Sequence, residues 1–175
     1  SGITIPFGDG KTCKRIFVLY CCVQLALSGV RSLYLDWEDD EEVHAERLHA
    51  ICCGLGRSVP EGMIFYQRRT VRLTESLREI RRCIAERGIG HVVVDSAGMA
   101  AGDPNNHDLM IEAVRGARSL NVPASLIHHL TKDAKDKTKP FGSVYASNEA
   151  RLTWLFEKAQ EEDVDELAIV LTNQA

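Results

Sequence analysis

The sequence lacks any uncharged apolar run of about 18 residues, the shortest length expected of a transmembrane helix. It also lacks an excess of basic residues, because 21 lysines and arginines stand against 25 aspartates and glutamates and give a net charge of -4. A protein of this charge is not attracted to nucleic acid as a whole, so any DNA contact has to come from a local basic patch. The composition therefore argues against a membrane span in this sequence and against a globally basic nucleic-acid-binding protein.

The sequence also lacks the C-x-x-C spacing that is typical of zinc and redox sites. Adjacent cysteines bridge each other only with strain, and Cys52 and Cys53 are such a pair. His44 and His49 lie near them, but helical spacing does not bring these four side chains to one tetrahedral site. We therefore predict free thiols in a reducing, cytoplasmic protein, and no zinc site. The six cysteines are at positions 13, 21, 22, 52, 53 and 83.

What the sequence does contain is a regular alternation of strand-like and helix-like segments. This alternation predicts an α/β fold, with a mostly parallel sheet flanked by helices on both faces. Two late strands, 152–157 and 166–172, are separated by an acidic turn and predict a C-terminal antiparallel pair. Residues 1–175 are expected to form a single domain, which can be the core of a longer protein. The other predicted helices are 13–28, 41–53, 73–87 and 107–120, and the other predicted strands are 32–37, 63–66, 91–95 and 124–128.

A glycine-rich segment near the N-terminus has the character of a phosphate-binding loop. Its backbone N–H groups and the dipole of the following helix would attract phosphate. In the pattern G-x-x-x-x-G-K-[ST], Lys11 would reach the β- and γ-phosphates, and the Thr12 hydroxyl would bind Mg²⁺. The first glycine of that pattern is missing, because Ile5 stands in its place. The predicted nucleotide-binding residues are Gly8, Asp9, Gly10, Lys11, Thr12 and Cys13.

Acidic residues follow two of the buried strands. Residues 36–40 leave the first of these strands, and we predict Glu38, or else Asp39, as the acid that activates the attacking water. The alternative is that these acids favour the start of the next helix through its dipole. Asp95 ends a second strand, after a run of three valines. A buried carboxylate without a cation is costly, so Asp95 is predicted to hold Mg²⁺ together with Thr12.

The last of the predicted parallel strands, 124–128, ends in one of two adjacent histidines, and a lysine-rich loop follows them. His128 or His129 could hydrogen-bond the γ-phosphate and report nucleotide state to the loop that comes next. That loop, 131–140, is either a solvated connector or a local basic patch for single-stranded DNA. Its candidate DNA-binding residues are Lys132, Lys135, Lys137 and Lys139.

These motifs, in this order, resemble the RecA-like P-loop ATPase superfamily. The branch of RepA-type hexameric helicases and phage or plasmid AAA-domain proteins is most similar. The resemblance rests on GDGKT at 8–12, LYLDWED at 33–39, VVVDS at 92–96 and LIHHLTK at 126–132. It implies a hexamer or filament that hydrolyses ATP with Mg²⁺ between subunits. It also implies that the loops 97–106 and 131–140 contact single-stranded DNA.

The sequence therefore predicts an ATP-hydrolysing, helicase-type domain that acts on single-stranded DNA in replication or recombination. Its catalytic residues would be Lys11, Glu38, His128 and His129. One alternative is a nucleotide-dependent regulatory or assembly module with little turnover. Another is a P-loop kinase for a small molecule. That alternative expects an arginine-rich lid, whereas the loop 131–140 has lysines and no arginine.

Overall fold

A computed structural model describes residues 2–130, 150–158 and 167–172 of the chain. In this part, strands and helices alternate along the sequence, as the hydrophobic pattern predicts. The strands are β1 Ile3–Gly8, β2 Arg31–Asp36, β3 Ile64–Arg68, β4 Ile89–Asp95, β5 Ala124–His129, β6 Leu152–Lys158 and β7 Leu167–Thr172. The helices are α1 Lys14–Leu27, α2 Glu41–Gly54, α3 Leu73–Arg87, α4 Ala97–Ala101 and α5 His107–Arg118.

The strands form one sheet in the order β3-β2-β4-β5-β1-β6-β7. The first six strands along the chain pair with one another in parallel, and β7 pairs with β6 in the antiparallel direction. The predicted α/β class with a mostly parallel sheet is therefore confirmed. The acidic turn predicted between the last two strands lies in 159–166, outside the described residues.

Helices cover both faces of the sheet because neighbouring residues of each central strand point to opposite sides. Tyr34 and Val93 pack under α1 together with Val18 and Leu19. The residues on either side of them in β2 and β4 belong to the larger core beneath α3 and α5. That core includes Leu33, Leu35, Val92, Val94, Ile80, Met110 and Val114. Because the central strands are buried on both faces, their apolar runs are continuous rather than alternating.

One predicted loop is partly helical. The sequence predicts a loop at 97–106 after β4, but α4 occupies Ala97–Ala101. Four small residues of this helix, Ala97, Gly98, Ala100 and Ala101, are buried, and its alanines belong to the larger core. Alanine has the highest helix propensity and fits a close approach to the sheet, which favours a helical turn here. No helix in the described part of the chain is long and apolar enough to span a membrane.

Three buried histidines should make the fold sensitive to acid. Burial lowers the pKa of His44, His91 and His128 to about 4, from the ordinary value of 6.5. The unfolded chain therefore binds more protons than the folded one between pH 4 and 6.5. The stability that the neutral rings contribute is present above pH 6.5 and is lost as the pH falls towards 4. At about pH 5, each of these rings should lower the free energy of unfolding by on the order of 2 kcal/mol.

Urea unfolding measured between pH 7 and 5 tests this expectation. His44 lies between the rings of Tyr34 and Tyr66, with centroids 4.5 and 4.7 Å away. His44→Gln should reduce the dependence of the unfolding free energy on pH by the contribution of one of the three buried histidines. His49 is exposed, so His49→Gln is the matched control and should leave the slope unchanged. An equal slope in the His44 variant and the wild type would contradict the prediction.

Candidate nucleotide-binding site

Four adjacent strands deliver the predicted site residues to one edge of the sheet. Asp36 and Asp95 are register partners at the ends of β2 and β4. Gly8 and His129 are partners at the ends of β1 and β5. The carboxyl ends of parallel strands are where open α/β sheets bind ligands. The structure thus brings the glycine-rich segment, both acidic segments and the histidine pair together, as the sequence predicts.

The loop between β1 and α1 begins at a glycine that has no room for a side chain. Gly8 has φ 153°, and a Cβ placed there would lie 2.3 Å from the carbonyl oxygen of Phe156. The loop then turns through exposed residues and the buried Thr12, and α1 begins only at Lys14. Cys13, immediately before α1, is in the left-handed conformation with φ 57°. The structure therefore places Lys11, which is exposed, in the loop before the helix.

Lys14, which the sequence analysis did not single out, lies inside this loop. Its ammonium donates hydrogen bonds to the carbonyl oxygens of Gly8 (3.0 Å) and Asp9 (2.6 Å) and to Thr12 Oγ1 (3.0 Å). The residue is only 3% exposed. Burial, with a further contribution from the neighbouring Arg15, lowers the pKa of Lys14 to about 8. The loop is therefore a concave shell of backbone groups around a buried cation.

The spacing of this loop fits the phosphate-binding pattern in a different register. In G-x-x-x-x-G-K-[ST] the lysine follows the first glycine by six positions, and Lys14 follows Gly8 by that interval. Cys13 then stands at the second glycine and takes the left-handed conformation that glycine adopts easily. Arg15 stands at the position of the serine or threonine. Counting from Gly8 in the sequence would have revealed this register.

The turn after β2 presents two acids towards the same loop. The Asp36 carboxylate accepts hydrogen bonds from the backbone N–H groups of Glu38 (2.8 Å) and Asp39 (3.0 Å), which fixes the turn. Asp40 then caps α2 by accepting from the Val43 N–H at 3.0 Å. Part of the acidic run thus starts the helix, and Glu38 and Asp39 remain to face α1.

Arg15, the residue after Lys14, binds three carboxylates. Its Nε donates to Asp95 Oδ1 at 3.0 Å, its Nη1 donates to Asp39 Oδ2 at 2.8 Å, and its Nη2 donates to Glu38. Burial acts to lower the pKa of Arg15, but Asp95 and Asp39 raise it beyond its ordinary value, so the guanidinium keeps its charge. Arg15 therefore joins the ends of β2 and β4 to the start of α1.

The two residues predicted to hold Mg²⁺ do not fit a metal site. The Thr12 hydroxyl donates to the carbonyl oxygen of Asp9 at 2.8 Å and accepts from Lys14. Asp95 is fully buried, and its oxygens accept from Arg15 and from the Tyr34 hydroxyl, the latter at 2.7 Å. Burial raises the pKa of Asp95, and both donors oppose that effect. Across residues 2–130, 150–158 and 167–172, no group of three or more His, Cys, Asp or Glu side chains could hold a metal ion.

Two cavities adjoin the loop and share Lys11 in their walls. One, of about 390 Å³, is lined by loop residues 9–12 and by Leu130 and the end of β6. The other, of about 250 Å³, is lined by the cations Lys11, Lys14, Arg15 and Arg47, together with Cys13, Ile16, Glu38 and His129. Arg15 and Arg47 are paired with carboxylates, so Lys11 and Lys14 are the two cations of this cavity that are best placed to attract an anion.

The two histidines at the end of β5 differ in position. His128 is buried, and its Nδ1 lies 2.8 Å from the carbonyl oxygen of His129. His129 lines the smaller cavity, and its Nε2 lies 3.5 Å from Glu38 Oε1. Of the two predicted sensors, only His129 therefore faces the cavity. The predicted DNA-binding residues lie outside the described residues and are Lys132, Lys135, Lys137 and Lys139.

Comparisons with known proteins agree with this architecture. The structure is similar to that of a KaiC-like protein from the hyperthermophilic archaeon Pyrococcus horikoshii, with a TM-score of 0.71 and 16% sequence identity. The match covers 98% of this chain and 78% of that one, and at this identity it shows a shared fold. A comparison with curated protein sequences gave no match. Residues 1–135 match the family described as AAA domain. The chain therefore belongs to the AAA domain family and has the RecA-like P-loop ATPase fold, and the RepA-type branch remains a prediction.

Proposed function

We propose that this chain is a nucleoside-triphosphate-binding domain in which the loop between β1 and α1 holds the phosphates. The observation that carries the proposal is the Lys14 ammonium, which is buried within that loop and bonded to Gly8, Asp9 and Thr12. The three acceptors that bind the ammonium are neutral carbonyl and hydroxyl oxygens, while the carboxylates of Asp9 and Asp95 also attract it. Phosphate oxygens would bind it directly as charged acceptors.

The remaining parts of the loop support the same role. The backbone N–H groups around residues 8–13 and the N-terminal end of α1 favour negative charge at this place. Lys11 lines both cavities and would add a second, more exposed cation. In this proposal Lys14 is the lysine that reaches the β- and γ-phosphates. Apart from Lys11, the predicted nucleotide-binding residues at 8–13 would contact the phosphates mainly through their backbone N–H groups.

The geometry favours a nucleotide-dependent module with little turnover over a fast motor. Glu38 is the predicted activator of water, and a general base has to be free to accept a proton. Here its carboxylate is bound to Arg15 and lies within 3.5 Å of His129. The bond from Arg15 to Glu38 Oε2 would compete with the proton that a general base takes from water. We therefore propose that the nucleotide chiefly regulates what the domain binds.

Single-stranded DNA and further copies of the chain are the proposed partners. β5 carries His129 to the nucleotide cavity, and the lysine-rich loop follows two residues later in the sequence. Among the described residues that line the smaller cavity, His129 is therefore the one that lies nearest in sequence to a segment with four lysines. The resemblance to ring- and filament-forming ATPases supports a hexamer or filament.

Thermal unfolding with and without ATP tests the proposal. A ligand that binds only the folded chain at about a hundred times its dissociation constant adds about 2.7 kcal/mol of stability. For a chain of this size, that corresponds to a rise in Tm of roughly 5–10 °C. Adenosine, which lacks the phosphates, is the control and should give no rise. A chain that ATP does not stabilise would contradict the proposal.

The same preparation tests the partners. Fluorescence anisotropy of a labelled single-stranded oligonucleotide should show binding that changes with ATP and weakens with salt. Sedimentation in the same buffers gives the oligomeric state. Nucleotide binding without any DNA binding would remove the DNA part of the proposal and leave the nucleotide site in place.

A further inference from the structure

We propose that Arg15 takes the place of the magnesium ion in this site, so that the chain binds nucleoside triphosphate without a divalent cation. This inference rests on the proposed nucleotide site and concerns its chemistry. The observation behind it is that a guanidinium, and not a hydroxyl, follows the buried lysine and is bonded to the acid at the end of β4.

Arg15 stands at a sequence position that normally supplies a ligand to the metal. In P-loop NTPases, the metal is held by the serine or threonine after the P-loop lysine and by an aspartate at the end of a neighbouring strand. Here Arg15 is the residue after Lys14, and Asp95 ends β4. Arg15 Nε lies 3.0 Å from Asp95 Oδ1. Arg15 therefore stands at one of the two expected metal-binding positions, and its side chain is hydrogen-bonded to Asp95 at the other.

The carboxylates that could bind a metal are already bonded to Arg15. The three carboxylates of Glu38, Asp39 and Asp95 are already paired with this single guanidinium. Charge-assisted bonds of this kind are among the strongest hydrogen bonds in proteins. Mg²⁺ requires octahedral oxygen ligands and gives up its waters reluctantly. Entry of the metal would therefore break these pairs and leave the partly buried Arg15 guanidinium without its carboxylate partners, which is unfavourable.

Arg15 also has N–H groups beyond those that bind the three carboxylates. A guanidinium has five N–H groups, and Arg15 uses three of them in its hydrogen bonds to Asp95, Asp39 and Glu38. The residue also lines the smaller cavity, beside Lys11, Lys14 and Arg47. Its planar fork matches phosphate oxygens as well as carboxylates. Arg15 can thus offer its remaining N–H groups to phosphate oxygens in this cavity while it stays bonded to the three carboxylates.

Equilibrium binding of ATP in EDTA and in magnesium provides the test, with the wild-type chain as the principal sample. We expect the two dissociation constants to agree within about twofold, a difference of less than about 0.5 kcal/mol. Magnesium alone should not change the Tm of the wild-type chain. Wild-type binding that requires magnesium would overturn the inference while leaving the nucleotide site intact. Absence of ATP binding in both buffers would overturn the proposed function as well.

Arg15→Thr supplies the hydroxyl that the phosphate-binding pattern expects and frees the three acids. In this variant, magnesium should tighten ATP binding by at least about tenfold. Magnesium alone should also raise its Tm, because the metal now binds the folded chain. If Arg15→Thr does not fold without metal, Arg15→Lys keeps a charge but loses the fork, and it should bind ATP more weakly than the wild type in EDTA. Variants that bind as tightly as the wild type in EDTA would contradict the role of Arg15.

Discussion

Changing Lys14 to methionine should remove most nucleotide binding, whereas the same change at Lys11 should leave most of it. The methionine keeps the apolar stem of either lysine and removes the ammonium. Lys14 is 3% exposed and bonded within the loop, so its charge acts on a phosphate at short range and with little screening. Lys11 is exposed, and its charge is largely screened by solvent. We expect a loss of at least about a hundredfold in ATP affinity at Lys14 and about fivefold or less at Lys11.

Isothermal titration of both variants and the wild type, in one buffer, measures this difference. Urea unfolding without nucleotide serves as the control, since it shows whether each variant is folded at the titration temperature. The reverse result, with binding lost at Lys11 and kept at Lys14, would restore the register that the GKT tripeptide at 10–12 predicts from sequence.

Changing Asp95 to asparagine should destabilise the fold by about 2–3 kcal/mol in the absence of any ligand. Asp95 is fully buried and accepts from both Arg15 and Tyr34, so the substitution replaces one of its two acceptor oxygens with a donor and removes one of the charges that Arg15 pairs with. A cluster of acids built for a metal would behave differently in EDTA. Loss of one charge there would relieve repulsion and would stabilise the chain or leave it unchanged.

Urea unfolding in EDTA distinguishes these outcomes. Glu46 is exposed, so Glu46→Gln is the matched control for loss of one negative charge and should stay within about 0.5 kcal/mol of the wild type. The double variant Arg15→Met with Asp95→Asn should cost less than the sum of its single changes, by about 1 kcal/mol or more. Additive costs would show that the pair does not interact.

The sheet and the edge that carries the site could be predicted because both follow from local pattern. Buried strands of four to seven residues, with helices between them, lead to parallel pairing, and parallel pairing places the strand ends together. The candidate acids and histidines were found because each lies at the end of such a strand or directly after it; they are Asp36, Glu38, Asp39, Asp95, His128 and His129. These inferences require no knowledge of side-chain contacts.

The lysine register and the role of Arg15 could not be read in the same way. The GKT tripeptide is a strong local match, and it outweighed the longer spacing from Gly8 to Lys14. The left-handed conformation of Cys13, with φ 57°, is set by the loop as a whole, because cysteine does not favour it locally. Arg15 meets Asp95 across 80 positions of sequence, and its other carboxylates come from the turn after β2. Only the folded chain shows that these charges converge.

A cation that belongs to the chain would also change the kinetics of nucleotide exchange. In a metal-dependent site, the ion arrives with the nucleotide and has to depart or be retained when the product leaves. Arg15 is covalently part of α1, so arrival and departure would involve the nucleotide alone. The uncomplexed nucleotide carries more negative charge than its magnesium complex. Its encounter with the four cations around the smaller cavity would therefore be faster at low ionic strength and slow more steeply as salt is added.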